Sequence, residues 1–331
     1  MNLNSNKSMR FWSFLLVIFM LLSIMTACGL NENKEEEKEL AQPIKIASLK
    51  GPTSMALTSL MTQEGQYEIT AYQNPQEAAS KLSTGEVDIA AVSSNLGAVL
   101  FNKTKGDVKL VSVNTGGVLY LVENGKQIRE LQDLKGKTIL ASGKGGTPEY
   151  VIKCLLLKNG LDPEKDVDFR WLGNHTDTAG ALMAEENSVA LLPEPFVSAV
   201  TAKNEEINVA VDLNTAWKSQ FHSELPMGIF LTTKAFAEER KEDLDLFLSE
   251  VEGSVDFVNK KPEEAAKTLV KKGVMDKEEI AAHAIPRCNI IDLKGEDARQ
   301  ALDTFYQILY DMDAGSVGGK LPDNTFYLNL E

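Results

Sequence analysis

The chain has 331 residues and carries 48 Asp and Glu against 34 Lys and Arg, a net charge of −14. That balance excludes a nucleic-acid partner and adhesion to anionic lipid headgroups, both of which need a basic surface. The charge of a small ligand stays open, because a local cleft can oppose the net charge. His175, His222 and His283 are the three histidines, far apart in sequence, so no metal-ligand spacing exists and no metal is expected.

Lys7 and Arg10 precede an almost wholly apolar run from Phe11 to Ile24. A membrane span needs about 20 apolar residues, so this shorter run suits a secretory leader. It ends in Met25-Thr26-Ala27-Cys28-Gly29, which resembles the lipobox of bacterial lipoproteins. The resemblance implies a signal peptide at 1–27 and a lipidated Cys28. The chain would then sit on the extracytoplasmic face of the cell membrane, attached through acyl chains such as palmitate. Asn31 to Glu39 has no aromatic or β-branched residue and cannot bury enough apolar surface to fold. Residues 28–42 therefore read as the lipidated cysteine and a solvated tether. Removing Lys7 and Arg10 takes the charge of −14 to −16. Cys154 lies on an apolar helix and Cys288 follows Ile285-Pro286-Arg287; both are expected as buried free thiols.

From Ile44 the pattern alternates strand and helix. Ile44 to Leu49 is β-prone, and Gly51-Pro52-Thr53-Ser54 opens a helix through Met61. Tyr67 to Tyr72 is a strand. Asn74-Pro75-Gln76-Glu77 is a capped helix start, with proline at the first helical position, and Gly85 ends that helix. Val87 to Val92 is a buried strand, Ser93-Ser94-Asn95 leads into a helix through Asn102, and Val108 to Asn114 is a further strand. Such alternation implies βαβ units and a mainly parallel sheet covered on both faces.

The pattern restarts at Thr138 to Ala141, a strand followed by the loop Ser142-Gly143-Lys144-Gly145-Gly146. Thr147-Pro148-Glu149 starts a helix to Asn159. Asp168 to Leu172 and Ser188 to Leu192 are strands, Pro193-Glu194-Pro195-Phe196 opens a helix to Lys203, and Ile207 to Val211 is a strand. The glycine loop matches neither nucleotide-binding pattern, and no cofactor is expected. Gly228 to Thr232 is the last expected strand. Ala235 to Val258, Pro262 to Lys272, Asp276 to His283 and Asp297 to Asp311 read as helices, so the C-terminal third is expected to carry no strands of its own and to pack back on the first lobe. That requires crossovers near 115–125 and 225–232.

Several segments now align with one family. They are Ile44-Lys45-Ile46-Ala47, Pro75-Gln76-Glu77-Ala78-Ala79, Leu82-Ser83-Thr84-Gly85-Glu86-Val87-Asp88-Ile89-Ala90, Asp133-Leu134-Lys135-Gly136-Lys137, Pro193-Glu194-Pro195 and Met227-Gly228-Ile229-Phe230. In order and spacing they resemble the ABC-transporter substrate-binding proteins of the nitrate, sulfonate and thiamine-precursor group, the SsuA-like proteins. The resemblance implies an α/β class, type II periplasmic-binding-protein fold: two α/β lobes joined by two hinge segments, with the ligand between them. The expected organisation is lobe I at 43–120 plus 230–331 and lobe II at 121–229. The implied partners are a small-molecule ligand, an ABC permease and its ATPase, and the chain is expected to be a monomer.

In open α/β sheets, ligands bind beyond the carboxyl ends of the strands. That places candidate contacts at Lys50, Thr53, Ser54, Ser93, Ser94, Asn95, Asn114, Thr115, Gly145, Gly146, Thr147, Asn174, Glu194 and Phe196. Helix N-termini with free N–H groups favour an anion there. Glu194 reads two ways, as a charge partner of its own helix N-terminus or as a contact for an amine. Capping a helix is the commoner role for such hydroxyls, and core packing is the default for Phe196, Trp171 and Trp217. The ligand is thus a sulfonate, a nitrate-like anion or a pyrimidine or amine compound. An enzyme on the same fold, like the related thiamine-pyrimidine synthase, lacks support because no cysteine-rich iron motif occurs. A surface sensory or adhesive module is the third reading.

Overall fold

The computed structural model describes Leu40 and residues 42–328. The leader, Cys28 and all but the end of the expected tether lie outside the described residues. Strand β1 (Ile44–Leu49), helix α1 (Pro52–Met55), β2 (Tyr67–Tyr72), α2 (Pro75–Ser83), β3 (Ile89–Ser93), α3 (Ser94–Lys103) and β4 (Val108–Thr115) form a first run. A second run holds β5 (Leu119–Asn124), β6 (Thr138–Ala141), α4 (Thr147–Lys158), β7 (Asp168–Trp171) and α5 (His175–Ala184). It continues through β8 (Val189–Pro193), α6 (Phe196–Thr201), β9 (Ile207–Asp212) and α7 (Leu213–Phe221). The chain then adds β10 (Gly228–Thr233), α8 (Lys234–Glu239), α9 (Lys241–Lys260) and α10 (Pro262–Lys271). Helix α11 (Glu278–Ala284), β11 (Ile290–Leu293) and α12 (Gly295–Met312) follow.

Two sheets result, ordered β11-β4-β10-β3-β1-β2 and β7-β6-β8-β5-β9. They repeat one plan. In the first, β1 lies between β2 and β3, parallel to both, and β10 is inserted antiparallel between β3 and β4. In the second, β6 lies parallel to β7 and β8, and β5 is inserted antiparallel between β8 and β9. Each inserted strand directly follows a passage of the chain from one sheet to the other, through residues 116–118 before β5 and 222–227 before β10. The plan repeats down to the helix caps. Asn74 Oδ1 accepts from the Gln76 and Glu77 N–H groups at the start of α2, and Asn174 Oδ1 accepts from the Asp177 N–H at the start of α5.

Both faces of each sheet are covered, which is why the strands are nearly continuous apolar runs. One core joins α3 and α12 of the first unit to α4 and α7 of the second, meeting at an edge-to-face Trp217–Phe305 contact with ring centroids 6.0 Å apart. The opposite face of the first sheet is covered by α1 and α9 to α11, and that of the second by α5 and α6.

Five expectations change. The sheets, expected to be mainly parallel, are mixed: the inserted strands β10 and β5, and the edge strand β11, pair antiparallel with their neighbours. The C-terminal third does carry a strand: β11 pairs antiparallel with β4, Ile290 beside Thr115. Its four residues sit among helices and owe their state to long-range pairing. The segment expected only as a crossover contains β5, every residue of which is buried. The helix expected through Met61 ends at Met55. The helix expected from Ala235 to Val258 is broken at Arg240 (φ −123°, ψ 42°), whose guanidinium donates to Asp243 Oδ2 at 2.7 Å and the Gln42 carbonyl at 2.6 Å. Cys154 and Cys288 are buried free thiols, and burial pushes both thiol pKa values up, Cys154 to about 11.

Candidate functional site

The carboxyl ends of the parallel strands in both sheets converge on one cleft. From the first sheet come Lys50 after β1, Gln73 after β2 and the Ser93-Ser94 junction after β3. From the second come Ser142 after β6, His175 at the start of α5, and Glu194 after β8. A direct contact crosses between the units where Thr147 Oγ1 donates to Asn95 Oδ1 at 3.2 Å. Another joins Tyr150 Oη to Asp313 Oδ2 at 2.8 Å.

A cavity of about 390 Å³ opens between the two units, in the range of small-molecule pockets. Lys50, Gly51 and Gln73 line one wall, and Pro195, Phe196, Ala199 and Lys203 of the second unit line another. The α10–α11 connection and α11 close it with Val274, Met275, Asp276, Lys277 and Ile280. Three lysines from three elements thus face one carboxylate, around a floor of Phe196, Val274, Met275 and Ile280. No hydrogen bond or ion pair occupies the ammonium groups of Lys50, Lys203 or Lys277 among the described residues. In a chain of net charge −14, this is a local positive field over an apolar floor.

The structure distributes the candidate residues unevenly. Lys50 and Phe196 line the cavity, and Asn95 and Thr147 meet across the cleft. Ser54 is spent locally: its hydroxyl contacts Ser48 Oγ at 2.5 Å and donates to the Leu49 carbonyl at 2.6 Å. Asn114 Oδ1 accepts from Thr115 Oγ1 at 2.7 Å. Two of the candidate residues carry a buried group without a hydrogen-bond partner among the described residues, Ser94 Oγ at the start of α3 and Asn114 Nδ2 at the end of β4. Burying a polar group unpaired is costly, and both residues are fully buried and lie outside the cavity lining. Asn174 is exposed and caps α5. Gly145 is exposed, with φ +77° and its N–H donated to Glu149 Oε2 at 2.6 Å, so the glycine loop turns the chain into α4. Thr53, Ser93 and Gly146 are half-buried beside these segments.

Glu194 is 2% exposed. Its carboxylate accepts from the Ser198 N–H at 3.1 Å and the Ser198 hydroxyl at 3.0 Å, closing the first turn of α6. Burial pushes its pKa up from the usual carboxylate value, against the lowering effect of Ser198 and Arg287. His175 also belongs to this edge, with Nδ1 2.7 Å from Ser142 Oγ and its ring 5.4 Å from that of Phe196. Burial holds its pKa below the usual imidazole value, so the ring is neutral at pH 7.

Residues 274–287 were absent from the sequence-derived site, although Lys277, Met275 and Ile280 line the cavity and Arg287 reaches Glu194. They lie in α11 and the connections on either side of it, not at the ends of the parallel strands, and only tertiary packing brings them to the cleft. The break Ile285-Pro286-Arg287 was the one local signal.

Two α/β units of equal plan, exchanging a strand each and facing one another across a cleft, define a bilobal ligand-binding protein. Residues 56–277 match the family described as the periplasmic substrate-binding protein of the phosphonate ABC transporter, and the chain belongs to that family. YtlA of Bacillus subtilis strain 168, named for a binding role, is 28% identical over 132 residues. That match covers 39% of this chain and 39% of the relative's own length. Among solved structures, an ABC transporter protein from Parabacteroides distasonis is 22% identical with a TM-score of 0.75, covering 88% of this chain and all of that one. The periplasmic aliphatic sulphonate-binding protein SsuA of Escherichia coli is 16% identical with a TM-score of 0.68, over 85% and 95% of the two chains. The alkanesulfonate-binding SsuA of Xanthomonas axonopodis pv. citri, solved with bound MOPS, is 15% identical with a TM-score of 0.62, over 86% and 96%. At these identities the likeness is one of fold, the type II binding-protein fold. Among the described residues no helix is long and apolar enough to cross a membrane.

Proposed function

We propose that this chain captures a small anionic compound in the cleft and delivers it to an ABC permease powered by an ATPase. The observation that carries the reading is the cavity of about 390 Å³ in which Lys50, Lys203 and Lys277 surround an apolar floor. Such a site favours a sulfonate, phosphonate or carboxylate head with a short apolar tail. The two lobes would close about the segments at 116–118 and 222–227, a hinge motion. Lobe I would comprise the chain before the first segment and after the second, and lobe II the residues between. Phe196, Lys50, Asn95 and Thr147 would contact the ligand. Lipidation of Cys28 would hold a monomer at the extracytoplasmic face, with residues up to 42 as tether.

Binding without catalysis is the assignment. Among the described residues the cleft edge holds two hydroxyl–base pairs, Ser142 with His175 and Ser198 with Glu194, and both hydroxyl residues are 2% exposed, closed to a substrate.

The test is a thermal-shift screen of residues 29–331 with ethanesulfonate, methylphosphonate, short carboxylates, amines and pyrimidines. A ligand at a hundred times its Kd stabilises the native state by about 2.7 kcal/mol, so a sulfonate or phosphonate is expected to raise the melting temperature. The paired substitution Lys50→Ala, Lys203→Ala is expected to diminish that rise. Stabilisation by an amine or a neutral pyrimidine alone would overturn the anion reading.

A further inference from the structure

Arg287 belongs to the first unit, in the short turn after α11, yet it is fixed to the second. Its carbonyl accepts from Tyr120 Oη on β5 at 2.8 Å. Two residues on, the Asn289 carbonyl accepts from the Gly116 N–H at 2.8 Å, and the Asn289 side-chain amide donates to the Gly117 carbonyl. Cys288 between them is fully buried. The backbone that presents Arg287 is therefore clamped to the crossing segment on one side and to β5 on the other. Its side chain, by contrast, is 47% exposed. The guanidinium has five N–H donors. Its one partner among the described residues is Glu194, with Nη1 3.8 Å from Oε1, an attraction beyond hydrogen-bond length. Glu194 is already held by Ser198 on both oxygens, and next to it Pro195 and Phe196 enter the cavity wall.

We propose that Arg287 is the receptor for the ligand's anionic head and that Glu194 is its resident counter-charge, displaced when the ligand arrives. The inference rests on the anion-binding reading above and deepens it by naming the residue that selects the charge. A fork of N–H donors on a clamped backbone is pre-organised for two oxygens of a sulfonate or phosphonate. The loose partner keeps the guanidinium from standing alone in the empty cleft without consuming its donors. The three rim lysines attract the anion; Arg287 orients it.

The assignment has a pH signature. Glu194 competes with the ligand for Arg287, so protonating Glu194 removes the competitor and binding tightens as pH falls. The titratable groups facing Glu194 are Arg287 and Cys288 from the turn after α11 and Tyr120 from β5, with Asp212 beyond Tyr120. Burial lifts the Glu194 pKa above the usual carboxylate value, and burial also raises those of Cys288 and Tyr120, which stay protonated at neutral pH.

Calorimetric titration of residues 29–331 with ethanesulfonate, whose charge is constant between about pH 5 and about pH 8, tests this. Arg287→Gln is expected to weaken binding by roughly 10- to 100-fold, the loss of a charge-assisted bond. Arg287→Lys, which keeps the charge and loses the fork, recovers part of it. Glu194→Gln binds more tightly than wild type at the upper end of that pH range and loses the pH dependence. Circular dichroism confirms that each variant folds. Wild-type binding unchanged in Arg287→Gln would overturn this proposal and leave the anion reading standing. Binding lost in Glu194→Gln would also overturn it, because the carboxylate would then be a direct ligand contact. Absence of ethanesulfonate binding in the wild type would overturn both.

Discussion

Gly117 lies on the first passage between the sheets, and replacing it with alanine has a cost that can be worked from geometry. A Cβ at this position would stand 2.5 Å from both Cβ and Oδ1 of Asn214 and 2.7 Å from its Cγ. Asn214 is 4% exposed, and its N–H is bonded to Asp212 Oδ1 at 2.9 Å in the first turn of α7. Its Cβ cannot swing aside, so either the start of α7 or the crossing segment must shift. Overpacking of this kind costs about 1–3 kcal/mol. With a urea slope of about 1–3 kcal/mol/M, the unfolding midpoint of Gly117→Ala falls by roughly 1 M. The paired variant Gly117→Ala, Asn214→Gly removes the opposing Cβ and is expected to be more stable than the sum of the two single losses predicts. A midpoint within error of wild type, or strict additivity in the pair, would refute the contact as the origin of the cost.

Asn174→Ala removes the cap of α5 and is expected to cost about 1 kcal/mol in urea unfolding, with the affinity for any anion unchanged; a loss of affinity with stability intact would make Asn174 a ligand contact. The folded-state pKa of His175 lies below its ordinary value of 6.5, so below that pH the unfolded chain takes up a proton that the folded chain resists. Stability is therefore lost as pH falls from 6.5 toward the folded value. His175→Gln should show a smaller drop in urea midpoint over that window than wild type, and an equal drop would place the titration elsewhere.

The fold was largely legible because its signals are local. Asn74-Pro75 caps a helix through side-chain bonds to its own N–H groups, and the apolar runs at 44–49, 89–93 and 189–193 are short enough to be strands. What escaped was set by distant partners. Strand β5 fills a slot between β8 and β9, and β11 completes an edge beside β4, which no periodicity within their own residues specifies. The site divides in the same way. Lys50 and Phe196 follow strands directly, and the strand-end rule finds them. Lys203 and Lys277 stand at helix ends, and the docking of α11 against α6 turns these ordinary surface charges into cavity walls, while Arg287 lies in the turn after α11. The hydroxyls of Ser54 and Ser94 look alike in sequence, yet one is bonded locally and the other is buried without a partner.

Native mass spectrometry of residues 29–331, purified without added ligand and measured before and after mild denaturation, tests the central claim most directly. The account predicts a one-to-one adduct that is released on denaturation as an anion small enough for a cavity of about 390 Å³, and that is absent from Arg287→Gln. A released amine or neutral ring, or a bare mass together with no thermal shift from any sulfonate, phosphonate or carboxylate, would contradict it.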